Sequence, residues 1–104
     1  MQGICLKFFA SESRLHNGML LSEWLLEQAK DMGVLGGTVF RAIAGFGRHG
    51  RLHEEAFFEL AGELPVEIEF LVSEKQAERL LDLLKSENLR LFYSKYPAEY
   101  GVSA

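Results

Sequence analysis

Residues 64–72 alternate without a break. Val66, Ile68, Phe70 and Val72 fall on one side of an extended backbone, and Glu67, Glu69 and Leu71 fall on the other. That is the period-two pattern of a strand with one buried face. At Ser73 the period changes. Ser73 with Gln76 three residues on forms a capping box. Ala77, Leu80, Leu81 and Leu84 then recur at helical spacing, which predicts a helix over residues 74–87 with that stripe buried. Asn88 is placed to end it.

The same succession occurs earlier. In residues 3–10, Ile4, Leu6 and Phe8 alternate with Cys5, Lys7 and Phe9, a strand pattern. Residues 11–18 are polar and read as a loop. Residues 19–32 read as a helix with Leu21, Trp24, Leu25, Ala29 and Met32 as its apolar stripe, and Gly33 suits its C-terminal cap. Residues 38–43 are β-branched and aromatic enough for another strand. Residues 51–63 read either as an extended arm or as an arm containing a short helical turn at 54–60. Residues 89–94 read as the last strand, and the tail 95–104, with Pro97 and Gly101, as irregular.

The order is β-α-β-β-α-β, which predicts an α+β, ferredoxin-like fold. Its four-stranded antiparallel sheet carries both helices on one face. The other face is then bare and holds Cys5, Lys7, Phe9, Glu67, Glu69, Leu71, Arg90 and Phe92. Lys7 can pair with Glu67 or Glu69 across neighbouring strands. A monomer rarely leaves such aromatic area in water, so the bare face predicts a homo-oligomer.

A length of 104 residues fits one domain spanning the whole chain. Hydrophobic residues at 48% and charged residues at 25% are the balance of a globular protein, not a disordered one. The net charge of −4 argues against a nucleic-acid partner. Cys5 is the only cysteine, which excludes an intrachain disulfide, and its apolar neighbours point to a buried structural thiol. No basic N-terminal region leads into a long apolar stretch, and no apolar run reaches the ~18 residues a membrane span needs. A cytoplasmic setting is the expectation.

The segment that could carry chemistry is glycine-rich and basic: Gly45, Phe46, Gly47, Arg48, His49, Gly50, Arg51 and His53. Glycines permit close backbone approach, successive free N–H groups form an anion-accepting nest, and Arg48 and Arg51 add charge-assisted donors. The same residues also suit a plain connection between strands with solvated arginines. His49 and His53 are four apart, which on a helix would suit zinc, but Gly50 interrupts a regular helix and only Glu54 and Glu55 lie near as further ligands. Solvated or hydrogen-bonding histidines are the other reading. None of the serines sits in a nucleophile-elbow pattern, and Glu67 with Glu69 on an outer strand face is more readily an ion-paired surface than a catalytic pair. The chain is therefore read as a non-enzyme.

Gly45-Phe46-Gly47-Arg48 followed by Gly50 resembles the run that opens the long loop of the PII signal transducers. Leu64-Pro65-Val66-Glu67-Ile68-Glu69 resembles their third strand. The chain is more similar still to domain-of-unknown-function family 190, a PII-like family. The matching residues are Gly36-Gly37-Thr38-Val39, Arg41, Ile43, Gly45-Phe46-Gly47, Arg51, His53 and Leu64-Pro65-Val66. The resemblance covers residues 3–92. It implies a regulatory, ligand-sensing subunit, trimers with small-ligand sites in the clefts between subunits, and a target protein or transporter under its control. Gly45, Gly47, Arg48 and His49 match positions that contact an adenine nucleotide in PII proteins. His49 stands where PII proteins have glutamine, residues 47–64 are shorter than the PII loop, and no glycine-rich phosphate loop follows the second helix. Without a small ligand the same fold would be a protein-interaction module, and the histidines leave a metal-handling protein as a third class.

Overall fold

The computed structural model describes residues 1–45 and 65–104. The alternating segments are strands, β1 (Gln2–Ser11) and β5 (Pro65–Val72), which pair antiparallel along their length from Ile4 opposite Val72 to Ser11 opposite Pro65. This register puts Ile4, Leu6, Phe8 and Ala10 on the same side as Val66, Ile68, Phe70 and Val72, and all eight are buried. Two helices close over that side: α1 (Leu21–Asp31) through Leu21, Trp24, Leu25 and Ala29, and α2 (Glu74–Ser86) through Ala77, Leu80 and Leu84. Within the core, Phe8 and Phe70 meet edge to face at 6.3 Å between ring centroids, a favoured geometry for aromatic pairs.

The sheet is completed by β4 (Gly37–Arg41) beside β5 and by β6 (Phe92–Glu99) beside β1, giving the order β4-β5-β1-β6 with every pair antiparallel. With the helices this is the expected ferredoxin-like α+β fold. Gly37 is required by packing. A Cβ there would lie 2.5 Å from the Phe70 ring and 2.9 Å from Leu26, so only glycine lets α1 and Phe70 close over β4.

Several boundaries differ from the sequence reading, and β4 ends at Arg41 where a strand to residue 43 was expected. Residues 11–18 are not simply a loop, because β2 (Leu15–His16) and β3 (Met19–Leu20) form a small hairpin about Asn17-Gly18. Both turn residues have positive φ, +53° and +82°, the backbone of a type I′ turn, for which Asn-Gly is the strongest short-range signal. The helix consequently starts at Leu21, not Met19, and the Leu21 N–H donates to the Arg14 carbonyl where a side-chain cap would otherwise serve. The last strand begins at Phe92 and runs to Glu99, so residues 95–99 are strand where an irregular tail was expected. Pro97 is tolerated because β6 is an edge strand.

Both helices end in Schellman motifs. Gly33, at φ +84°, follows α1, with Val34 N–H bonded to Ala29 O and Gly33 N–H to Lys30 O. Asn88, at φ +57°, follows α2, with Leu89 N–H bonded to Leu84 O and Asn88 N–H to Lys85 O. The capping box forms in both directions, with Gln76 N–H on Ser73 Oγ at 3.1 Å and Ser73 N–H on Gln76 Oε1 at 3.0 Å. Gln76 Nε2 also donates to Gly33 O at 3.3 Å, tying the start of α2 to the end of α1. No helix among the described residues is long and apolar enough to cross a membrane.

Leu80 is the fully buried centre of the α2 stripe, while Leu81 packs at its margin. Leu80→Ala should therefore cost about 2–5 kcal/mol, the range for a buried leucine, and Leu81→Ala clearly less. Urea unfolding of the two variants side by side checks this, and equal losses would show that α2 is rotated from the packing described.

Candidate functional site: the loop rim and the open sheet face

The β4–β5 connection leaves and returns at one end of the sheet. Arg41 is the last residue of β4, Ala42 N–H closes onto Pro65 O, and Gly45 follows in exposed, irregular backbone. Of the residues singled out from sequence, only Gly45 is among those described. Phe46, Gly47, Arg48, His49, Gly50, Arg51 and His53 lie outside them, as does the arm at 51–63. What the structure does give is the place where that segment is anchored.

The anchor is shared with other parts of the chain. Ser11, at the end of β1, stands opposite Pro65. Beyond it the chain turns, with Arg14 N–H bonded to Ser11 O and the Ser11 and Ser13 hydroxyls 3.4 Å apart. Glu12 in this turn meets Arg41, with Oε2 2.7 Å from Nε. This contact pairs the charges and gives the shielded Glu12 Oε2 its partner. At the same end β6 begins at Phe92, opposite Phe9 of β1, so the α2–β6 turn also arrives there. The β2–β3 hairpin is fastened to the end of α2 by His16, whose Nε2 is 2.9 Å from Glu87 Oε1 and whose ring meets Trp24 edge-on at 4.5 Å. Sequence reading missed Glu12, Arg41 and His16 as parts of this end. Their neighbours come from distant chain segments, and only the Asn-Gly turn signalled the hairpin.

The helix-free face of the sheet is organised in rows set by the register. Phe40, Glu67, Phe9 and Phe92 form one row, Thr38, Glu69, Lys7 and Ser94 the next, and Leu71, Cys5 and Tyr96 a third. Cys5, Lys7, Phe9, Glu67, Glu69, Leu71 and Phe92 are on this face as expected. Arg90 precedes β6, so the strand register does not place it. Thr38, Phe40, Ser94 and Tyr96 join them. The Phe9 and Phe92 rings meet tilted at 5.6 Å between centroids, and Phe40, Phe92, Tyr96 and Leu71 remain exposed. Cys5 is buried beneath its cross-strand neighbours, consistent with a structural thiol.

Lys7 is the polar centre of this face. Its Nζ lies 3.6 Å from both Glu67 and Glu69 and 5.5 Å from the centre of the Tyr96 ring. The Tyr96 hydroxyl, followed by the two carboxylates, holds the Lys7 ammonium well above the usual lysine range against the opposing effect of desolvation. Among the described residues no three His, Cys, Asp or Glu side chains converge as metal ligands.

The comparisons fit this geometry. Residues 3–89 match the sequence profile of domain-of-unknown-function family 190, described as uncharacterized ACR. A UPF0166 protein of Aquifex aeolicus strain VF5 is 37% identical over 83 residues, covering 80% of this chain and 79% of that protein. Two solved structures share the fold. One is CPII of Thiomonas intermedia K12, a nitrogen regulatory PII-like protein bound to ADP, AMP and bicarbonate, at TM-score 0.63 and 19% identity over 100% of this chain and 98% of that one. The other is a Thermus thermophilus protein classed with PII-like signaling proteins, at TM-score 0.58 and 23% identity over 94% of this chain and 86% of that one. The fold is thus that of the PII-like proteins. The chain is a member of domain-of-unknown-function family 190.

A raised lysine pKa stabilises the fold wherever the unfolded lysine is still charged, and that stabilisation is lost as pH climbs from the unfolded value through the folded one. The stability difference between the native chain and Lys7→Gln should therefore stay constant from pH 6 to 9. It should shrink only above about 10.4, the ordinary lysine value. Chemical denaturation across that range measures it, and a difference already falling at pH 8 would show that Lys7 is not the charged centre of this face.

Proposed function

We propose that this chain is a PII-like regulatory subunit that senses a small anionic ligand, an adenine nucleotide by preference, and does not catalyse a reaction. The observation that carries the reading is the fold match along the whole chain to a nitrogen regulatory PII-like protein whose structure holds ADP, AMP and bicarbonate. The anchoring of the glycine-rich segment at the Ser11 end of the sheet, beside Arg41, supports it. On this reading Gly45, Phe46, Gly47, Arg48, His49, Gly50, Arg51 and His53 form the ligand rim. The glycines give backbone N–H groups room to meet phosphate oxygens, and the arginines supply charge. The binding unit is a homo-oligomer, a trimer, in which neighbouring copies complete the cleft. Its output is contact with a target protein such as a transporter.

Titration calorimetry with ADP and AMP tests the ligand. Arg48→Ala should weaken ADP by about 1.5–3 kcal/mol, the worth of a hydrogen bond to a charged group, with the melting temperature nearly unchanged. Equal binding by Arg48→Ala would place the site elsewhere. Absence of nucleotide binding to the native chain would leave a protein-interaction module, which the exposed aromatics of the open face favour.

The assembly is tested separately. Phe40, Phe92, Tyr96 and Leu71 present aromatic and aliphatic surface on a sheet face that carries no helix. Sedimentation at micromolar concentration should show a trimer, and Phe92→Lys should drive it toward monomer. A monomeric native chain would overturn the oligomer.

A further inference from the structure

The sheet ends in two different strands, and among the described residues no strand pairs with the outer edge of either. At β4 the Ala42 N–H donates to Pro65 O, so the backbone groups of Thr38 and Phe40 also face β5. Those of Gly37, Val39 and Arg41 face outward. The same alternation, carried across β5 and β1, turns the backbone groups of Tyr93, Lys95, Pro97 and Glu99 outward on β6. Pro97 fits this assignment, since its nitrogen has no hydrogen to give β1. Edges of this kind are templates for another strand.

The helix layer is offset from the sheet beneath it. Helix α1 packs on β4 and β5, and α2 packs on β5 and β1. At the β4 edge Leu26 of α1 closes on Gly37. On β6 the helix-side residues Tyr93, Lys95 and Pro97, opposite Phe8, Leu6 and Ile4, are exposed. An edge roofed by a helix thus complements an edge that lacks one. Strand direction agrees as well. All three junctions of the sheet are antiparallel, so β4 and β6 run in opposite directions, and β4 of a second copy beside β6 continues the antiparallel order.

We propose that β4 of one copy pairs antiparallel with β6 of the next, with Phe40 opposite Phe92, so that the sheet runs on from copy to copy. This rests on the oligomer reading above and names its contact. The outward groups of Val39 and Gly37 then meet those of Tyr93 and Lys95, and Thr38 lies opposite Ser94. Sliding β4 by two residues along β6 sets Pro97 against Gly37, and sliding by four sets it against Val39, each time losing a donor. Sliding the other way leaves Val39 opposite Leu91, before β6 begins. The chosen register avoids both. It also puts two exposed aromatics in a non-hydrogen-bonded pair, where side chains approach most closely. Helix α1 of the arriving copy comes to lie over the bare helix side of β6. Because the two edges differ, the contact is head to tail, and its repetition closes the ring of the proposed trimer.

Disulfide trapping in a Cys5→Ala background reads the register. Thr38 and Ser94 lie on opposite edges of one sheet, three strand spacings or about 14 Å apart. A disulfide tolerates only about 7 Å between Cα atoms, so a bond between these positions must join two copies. Mild oxidation of Thr38→Cys/Ser94→Cys at micromolar concentration should yield covalent dimers and trimers on a non-reducing gel. Each single variant should stay unlinked. Thr38→Cys/Tyr96→Cys, matched to the register shifted by two, should link at least tenfold more slowly. Val39→Pro removes only an outward N–H and should weaken the trimer about tenfold in sedimentation, with circular dichroism unchanged. A native trimer that gives no linkage at 38–94 overturns the edge pairing while leaving the oligomer standing. Faster linkage at 38–96 overturns the register, and linked species growing past the trimer overturn the closed ring. A monomeric native chain overturns both the pairing and the oligomer.

Discussion

The pairing of β1 with β5 determines what every other part of the chain can do. Both are central strands, and side chains alternate strictly along each, so one register sorts two sets of residues at once. Ile4, Leu6, Phe8 and Ala10 join Val66, Ile68, Phe70 and Val72 under the helices, while Lys7 is brought opposite Glu69 and beside Glu67. A slip of β1 by one residue would turn Ile4, Leu6, Phe8 and Ala10 out to solvent and push Lys7 into the core. The cross-strand charges therefore agree with the hydrophobic register: Lys7 finds partners only in the pairing that also buries the core.

The ends of those strands differ in how their connections are distributed. At the Ser11 end the sheet receives the β4–β5 segment, the turn leading into the β2–β3 hairpin, and the α2–β6 turn. Connections are where a rigid sheet can hold adaptable polar groups. The hairpin is not loose, since His16 bridges Glu87 at the end of α2 and Trp24 on α1. The Ser11 end is thus a braced platform from which the glycine-rich segment departs.

Most of the fold was legible from residues whose environment is local. The Ser73–Gln76 box, the Gly33 and Asn88 helix ends and the alternation of Ile4–Phe8 and Val66–Val72 each carry their physical reason within a few positions. Two features were not. Residues 95–99 have a polar, proline-containing sequence that reads as irregular. They become strand because β1 offers a free edge over its whole length, a property of the partner and not of the segment. The Arg41–Glu12 pair joins residues 29 apart in number, and no periodicity announces it. The hairpin belongs between these cases: Asn17-Gly18 is a local signal, but strands of two residues leave no alternation to read. For the candidate site, composition marked the glycine-rich run, whereas the charged groups at its foot emerged only from tertiary placement.

The two faces of the sheet then divide the work. On the open face, aromatic rows flank a charged row, which suits a surface that meets its own copies: apolar area supplies the attraction, and the centred Lys7–Glu67–Glu69 set penalises misaligned docking, where a charge would be buried unpaired. On the helix side, Arg41 ends β4 with an exposed side chain paired to Glu12. Strand β1 touches both, since Lys7 and Phe9 lie on the open face and Ser11 leads directly into Glu12 along the same backbone. One strand thus carries the charged centre of the open face and leads, at its end, into the carboxylate that meets Arg41.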